Sequence, residues 1–199
     1  MRNNDRSLEI NTELTRVLDE CRQNGVRFEP GMTADELRRA EEAYGFTFPA
    51  SLREILAYGV PVSENPDEFP RWRDFSDENV TRIRQWMQSP AEWLKSDIVR
   101  HGFWLPAWGE RPAPGDEAAA ADRLLATSPL LIPVSGHRFM PVLEGCDNPP
   151  VISTVGCDTI LYGGTPAEYL RVEFLSANLP AYRADDVPAI PLWDTLIFG

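Results

Sequence analysis

LLIPVSGHRFMPVLEGCDNPPVISTVGCDTILY, residues 130–162, is the stretch that decides the fold. Leu130 to Val134 and His137 to Leu143 are short apolar runs on either side of Ser135-Gly136. Val151 to Val155 and Asp158 to Tyr162 repeat the arrangement around Gly156-Cys157. Runs of β-branched and aromatic residues broken by glycine turns read as hairpins. Strands joined by tight turns are antiparallel, because a parallel pair needs a long crossover connection.

Upstream of this stretch the pattern is helical. Over residues 8–24, Leu14, Val17, Leu18 and Cys21 recur at helical spacing, and Gly25 supplies a stop. Thr33 opens a second helix. Its hydroxyl can cap the first turn while Glu36 returns the bond, and Leu37, Ala40 and Tyr44 follow on one face. Phe46 to Pro49 reads as extended, since the residue before proline avoids the helical region. Residues 51–58 form a short helix with Leu52, Ile55 and Leu56 inward and Gly59 at its end. A loop with Pro61, Pro66 and Pro70 fills residues 60–75. Residues 77–88 read as a helix with Val80, Ile83 and Met87 aligned, and Ser89-Pro90 reads as the start of another, with Ser as cap and Pro first in the helix. A loop rich in Gly, Pro and Trp spans 102–116, and a weakly specified helix spans 116–126.

Downstream, Gly163-Gly164 breaks the chain, and Thr165-Pro166-Ala167-Glu168 starts a last helix. Residues 180–199 read as an extended, proline-rich tail whose Leu192, Trp193, Leu196, Ile197 and Phe198 need a surface to pack on. Helices first, strands next and a helix to close give α+β. The expected architecture is a single domain over 1–199, with N-terminal helices packed on a twisted antiparallel sheet and a closing C-terminal helix. The helix at 8–24 and the tail at 180–199 pack onto it.

The chain has 199 residues, 43% of them hydrophobic, and a formal net charge of −12. That is enough apolar material for a core and argues against disorder. The acidity is spread over both halves. It disfavours nucleic acid and anionic membrane as partners and leaves a basic protein possible. The N-terminus lacks the apolar core of a signal peptide, and no run is long enough to span a membrane. Cys21, Cys146 and Cys157 are odd in number and far apart, as expected of free thiols in a reducing cytoplasm.

Three groups of residues, in order, resemble the SUKH superfamily of fungal Smi/Knr cell-wall-assembly regulators and bacterial immunity proteins. The first runs from Gly31-Met32-Thr33-Ala34-Asp35-Glu36-Leu37 through Ala40-Glu41, Tyr44-Gly45-Phe46 and Phe48-Pro49 to Leu52, Leu56 and Gly59. The second is Ile132-Pro133-Val134 to Pro141-Val142, followed by Pro150-Val151-Ile152. The third is Thr165 to Leu170. Together they span roughly residues 31–176. The loops at 69–73 and 102–112 resemble a bacterial subgroup. The resemblance implies a non-catalytic binding module, of the immunity type that neutralises a cognate toxin by direct contact. Neither cofactor nor metal is implied.

The residues themselves offer little chemistry. No Cys-x-x-Cys or His-x-x-x-His occurs, and Asp67-Glu68, Glu41-Glu42 and Asp185-Asp186 are adjacent carboxylates that do not converge. Ser135 near His137 is the one pair a hydrolase could use, without the strained elbow such a nucleophile needs. The informative residues are Arg71, Trp72 and Arg73, then Trp104, Trp108, Glu110 and Arg111, then His137 and Arg138. Tryptophan and arginine in loops are the residue types of binding hot spots. They are equally the types that pin long loops onto a core. A second functional reading is a regulatory domain binding a small molecule or peptide in a pocket lined by Trp72, Trp104, Trp108, Arg111, His137 and Arg138. Trp86, Trp93 and Trp193 read as core or tail anchors.

Overall fold

In the computed structural model, which describes residues 2–65 and 68–199 and side-chain burial from Thr12 onward, the decisive stretch forms a four-stranded antiparallel sheet. Its strands are β3 (Leu131–Ser135), β4 (Arg138–Pro141), β5 (Val151–Val155) and β6 (Asp158–Gly163), laid side by side in sequence order. Ahead of them come α1 (Arg2–Gln23), β1 (Phe28–Pro30), α2 (Ala34–Tyr44), α3 (Ala50–Tyr58), β2 (Gly59–Pro61), α4 (Asp77–His101) and α5 (Glu117–Leu125). After them come α6 (Pro166–Phe174) and α7 (Asp194–Ile197). The chain is α+β.

Both faces of the sheet are buried, each in its own core. Ile132, Met140 and Val151 pack with Leu14, Val17 and Leu18 of α1, Leu37 of α2, Leu52 and Leu56 of α3, and Tyr169 and Leu170 of α6. Their strand neighbours Leu131, Phe139 and Ile152 point the other way, because successive side chains alternate across a strand. With Leu161 they pack against Leu94 and Ile98 of α4, Ala121 of α5, and Ile190, Leu192 and Trp193 of the tail. A sheet covered on both sides needs apolar residues on both, which is why these strands read as nearly continuous apolar runs. Helix α4 serves both cores: Ile83 joins the first, and Leu94 and Ile98 join the second.

Four readings of the sequence change. First, α4 is one helix of 25 residues, not two meeting at Ser89-Pro90. Pro90 lacks the N–H that would bond the Trp86 carbonyl. The Ser89 hydroxyl donates to that carbonyl instead, at 2.8 Å. A pair that looks like a helix start is an internal repair. Second, the predicted loop at 60–75 begins with β2, which pairs antiparallel with β1. Helices α2 and α3 lie between these two segments in the chain, and Gly59 allows the approach, since a Cβ there would lie 3.0 Å from Phe28 Cβ. Pro66 and Asp67 of that loop lie outside the described residues.

Third, the first helix starts at Arg2, ahead of the expected residue 8. Fourth, the tail is not simply extended. It carries a 3₁₀ turn at Ala184–Asp186 and the helix α7, and the Trp193 indole donates to Ser128 Oγ at 2.8 Å. Leu192 stands at φ 72, a left-handed conformation that turns the chain inward just before Trp193.

The two expected helix caps differ in outcome. At Thr33 the reciprocal box forms: Glu36 N donates to Thr33 Oγ1 at 3.2 Å, and Thr33 N donates to Glu36 Oε2 at 2.7 Å. At Thr165 only the threonine half forms, at 3.2 Å from Glu168 N. The Glu168 carboxylate instead accepts from the Tyr182 hydroxyl at 2.9 Å, tying the tail to α6.

The repair at Pro90 is testable by a double-mutant cycle in urea. Ser89→Ala is expected to cost about 1 kcal/mol in the wild-type chain and close to nothing in a Pro90→Ala background, where the backbone N–H returns. Equal losses in both backgrounds would contradict this role for the hydroxyl.

Candidate binding site

The residues singled out in the sequence fall in three separate places. The first set holds the 68–75 segment. Trp72 is 2% exposed. Its ring meets Tyr44, Phe48 and Phe46 edge to face, with centroids 5.3, 5.1 and 6.1 Å away. Trp72 is a core anchor with little surface to offer a partner. Arg73 is a staple. Its guanidinium donates to the carbonyls of Pro30 and Gly31, both at 2.6 Å, and to Glu36 Oε1 at 3.1 Å. Arg71 is exposed, and its charge acts on nearby Asp74.

The second set lies on the other core. Trp104 and Trp108 meet edge to face at 5.5 Å, and Phe103 meets Trp108 at 5.5 Å. The Trp108 indole donates to Thr195 Oγ1 at 2.7 Å, so this loop is buttoned to α7. The Trp104 indole donates to the Gly109 carbonyl at 3.1 Å. Glu110 and Arg111 are exposed, with the Arg111 guanidinium lying against Gly102. The third set is at the β3–β4 turn. The Arg138 guanidinium sits over the Tyr162 ring at 4.2 Å, and its Nε lies 3.5 Å from Glu173 Oε2. It also touches the His137 ring. Partial burial, and then the Arg138 charge, pull the His137 pKa below its usual 6.5. Ser135 Oγ accepts from the buried Tyr169 hydroxyl at 3.0 Å.

The sheet stands between Trp72 and the Trp104–Trp108 pair, so one pocket lined by all three is not formed. Helices cover most of both sheet faces, while Val155 and Ile160 beside the β5–β6 turn are exposed. The recesses lie at its rims.

One of them was not legible in the sequence. Arg82, Trp86, Ser89 and Trp93 follow at i, i+4, i+7 and i+11 along α4 and face Gly136, His137 and Val155 across an open groove of about 720 Å³. The Trp86 indole donates to the Gly136 carbonyl at 2.9 Å, and the Trp93 ring meets Phe139 edge to face at 6.4 Å. The Arg82 guanidinium lies over the Trp86 ring at 5.6 Å, and both rings are half-buried. Val155 is 50% exposed beside them. Trp86 and Trp93 read as core because both recur at helical spacing with apolar neighbours. The available signal was their offset: at 100° per residue they stand roughly a quarter-turn from Ile83, Leu94 and Ile98.

The second recess, of about 450 Å³, is lined by Arg71, Trp72 and Arg73 together with Val60 to Ser63 and Glu29. Elsewhere on the surface, several basic side chains are paired with carboxylates: Arg53 with Glu41 at 2.5 Å, Arg38 with Asp35 at 2.9 Å, Arg171 with Glu13 at 3.0 Å, and Lys95 with Asp122. Such pairs add little stability at a surface. They do leave the acidic excess of −12 to set the outer field. Among the described residues no group of three or more His, Cys, Asp or Glu is placed to hold a metal.

The split between anchor and surface is testable by denaturation. Trp72→Ala is expected to cost about 3–5 kcal/mol. Arg71→Ala is expected to stay within about 0.5 kcal/mol of wild type. Similar small effects from both would contradict the core assignment of Trp72. By NMR, the His137 ring is expected to titrate below pH 6.5, with its midpoint rising in Arg138→Gln as the neighbouring charge is lost. A midpoint at or above 6.5 in wild type would contradict the described environment. Compared with family models, with curated proteins and with solved structures, the chain gives no match.

Proposed function

We propose that this chain is a non-catalytic protein-binding module that takes a basic partner into the α4 groove. The observation that carries the reading is the pair of half-buried indoles, Trp86 and Trp93, held side by side on a rim that the chain's own helices leave open. Half-buried indoles already held by the fold lose little freedom on binding, and tryptophan dominates interface hot spots. The charge of −12 supports a basic partner. Complementary charge raises the encounter rate and discriminates among partners more than it adds affinity.

The order of the residues resembling SUKH proteins supports an immunity role, with a toxin domain as the partner neutralised. A toxin that acts on nucleic acid carries the basic surface this charge would meet. Cys21, Cys146 and Cys157 are all free, which suits work in a reducing cytoplasm. No helix among the described residues is long and apolar enough to cross a membrane.

The test is co-expression with the product of the adjacent gene, followed by size-exclusion chromatography and binding kinetics. A stable complex is expected. Trp86→Ala and Trp93→Ala, shown folded by their amide spectra, are expected to weaken it at least ~10-fold, whereas Trp104→Ala leaves it unchanged. Added salt is expected to slow association more than it speeds dissociation. A complex indifferent to both groove substitutions would overturn the assignment of the surface. The absence of any complex would remove the immunity role.

A further inference from the structure

The cleft beside Arg71 has a feature the α4 groove lacks: an apolar slot beneath a polar mouth. The slot, about 30 Å³, is enclosed by Leu52, Phe69, Trp72, Met140, Tyr169 and Phe174. The slot is small and admits only a slim apolar group. The mouth, about 450 Å³, shares Val60, Pro61, Phe69, Pro70 and Trp72 with the slot, so the two adjoin. A recess of a few hundred Å³ is the usual size of a small-ligand site.

The charges at the mouth are not equivalent. Arg73 is held by Glu36 and by the Pro30 and Gly31 carbonyls. Glu29 faces Arg73 at 3.8 Å. Asp74 accepts from Ser76 N at 3.0 Å, a bond that holds its carboxyl below the usual range. Arg71 differs. Its carbonyl is fixed by Asn79 Nδ2 at 3.0 Å and by Asp74 N at 3.1 Å, and Asn79 is buried. Its guanidinium forms no ion pair or hydrogen bond with the described residues. The backbone is clamped, and the guanidinium, which acts on Asp74 through its charge alone, stands at the rim of an apolar hole.

We propose that this cleft is a binding site for a small amphipathic carboxylate, its apolar end entering the slot over Trp72 and its carboxylate resting on Arg71. A carboxylate takes two parallel bonds from a guanidinium, which an alcohol cannot. The apolar end must be slim, an aryl ring tipped by a methyl or a short alkyl chain. The site is independent of protein binding at α4.

The probes are para-tolylacetate, phenylacetate and the neutral para-tolylethanol, titrated into the full chain and followed by amide shifts. Saturable shifts are expected at residues 60–63 and 69–74, with para-tolylacetate bound roughly tenfold more tightly than the alcohol. Arg71→Gln is expected to abolish that preference while the alcohol still binds, and Arg71→Lys to retain part of it. Val60→Ile, which adds a methylene at the junction, is expected to remove the advantage of the para-tolyl over the phenyl acid. No saturable shift at about 10 mM probe, where even a millimolar site would fill, would overturn the proposal. So would equal binding of acid and alcohol by wild type, or an acid preference that survives Arg71→Gln.

Discussion

Phe139 and Met140 are neighbours on one strand, and each needs a different shelter. The Phe139 ring lies with Trp93, Leu94 and Ile98 of α4, while Met140 lies with Leu52 of α3 and Leu170 of α6. The same holds for Leu131 and Ile132 on β3 and for Val151 and Ile152 on β5. Burying each of these side chains contributes about 1.5–3 kcal/mol, and leaving one face open would forfeit half of that. Two-sided burial dictates the rest of the chain. Helix α4 must reach both cores, so it cannot stop at Pro90. The tail must return to cover Leu161, so Leu192 takes a left-handed turn to seat Trp193.

This constraint also sets where binding can occur. With helices over most of both faces, the two recesses described lie at turns and rims of the sheet. The β3–β4 turn meets α4 at the groove of Trp86 and Trp93, and the 68–75 segment meets β2 at the cleft of Arg71. Both recesses are partly backed by core residues, Trp72 in one and the partly buried Trp86 and Trp93 in the other. Both are also small relative to the acidic surface around them. The long-range field therefore favours basic partners, while the recesses select shape at short range.

Elements bounded by local chemistry were legible in the sequence. The two hairpins follow from glycine turns between apolar runs, and the Thr33–Glu36 box follows from side chains three residues apart. Elements that depend on distant contacts were not. Nothing near Phe28 or Val60 announces that β1 and β2 pair, because α2 and α3 separate them in the chain. Ser89-Pro90 carries the local marks of a helix start, and only the packing of Leu94 and Ile98 shows that the helix continues. The same limit governs the site residues. Trp72 and Arg73 have the composition of a hot spot and the geometry of an anchor and a staple. Trp86 and Trp93 have the spacing of a core stripe and stand at its margin. Residue type alone does not separate these roles; the position of each side chain relative to the buried stripe does.

If one sheet is the common wall of two cores, the cores must melt together. The direct test is a urea titration of the full chain followed by NMR. It would read the Val17 amide in the first core and the Trp193 indole in the second. Coincident midpoints for the two are expected, since loss of either cover exposes a face of the sheet and removes support from the other. A Trp193 signal lost at clearly lower urea, with Val17 still native, would contradict the account.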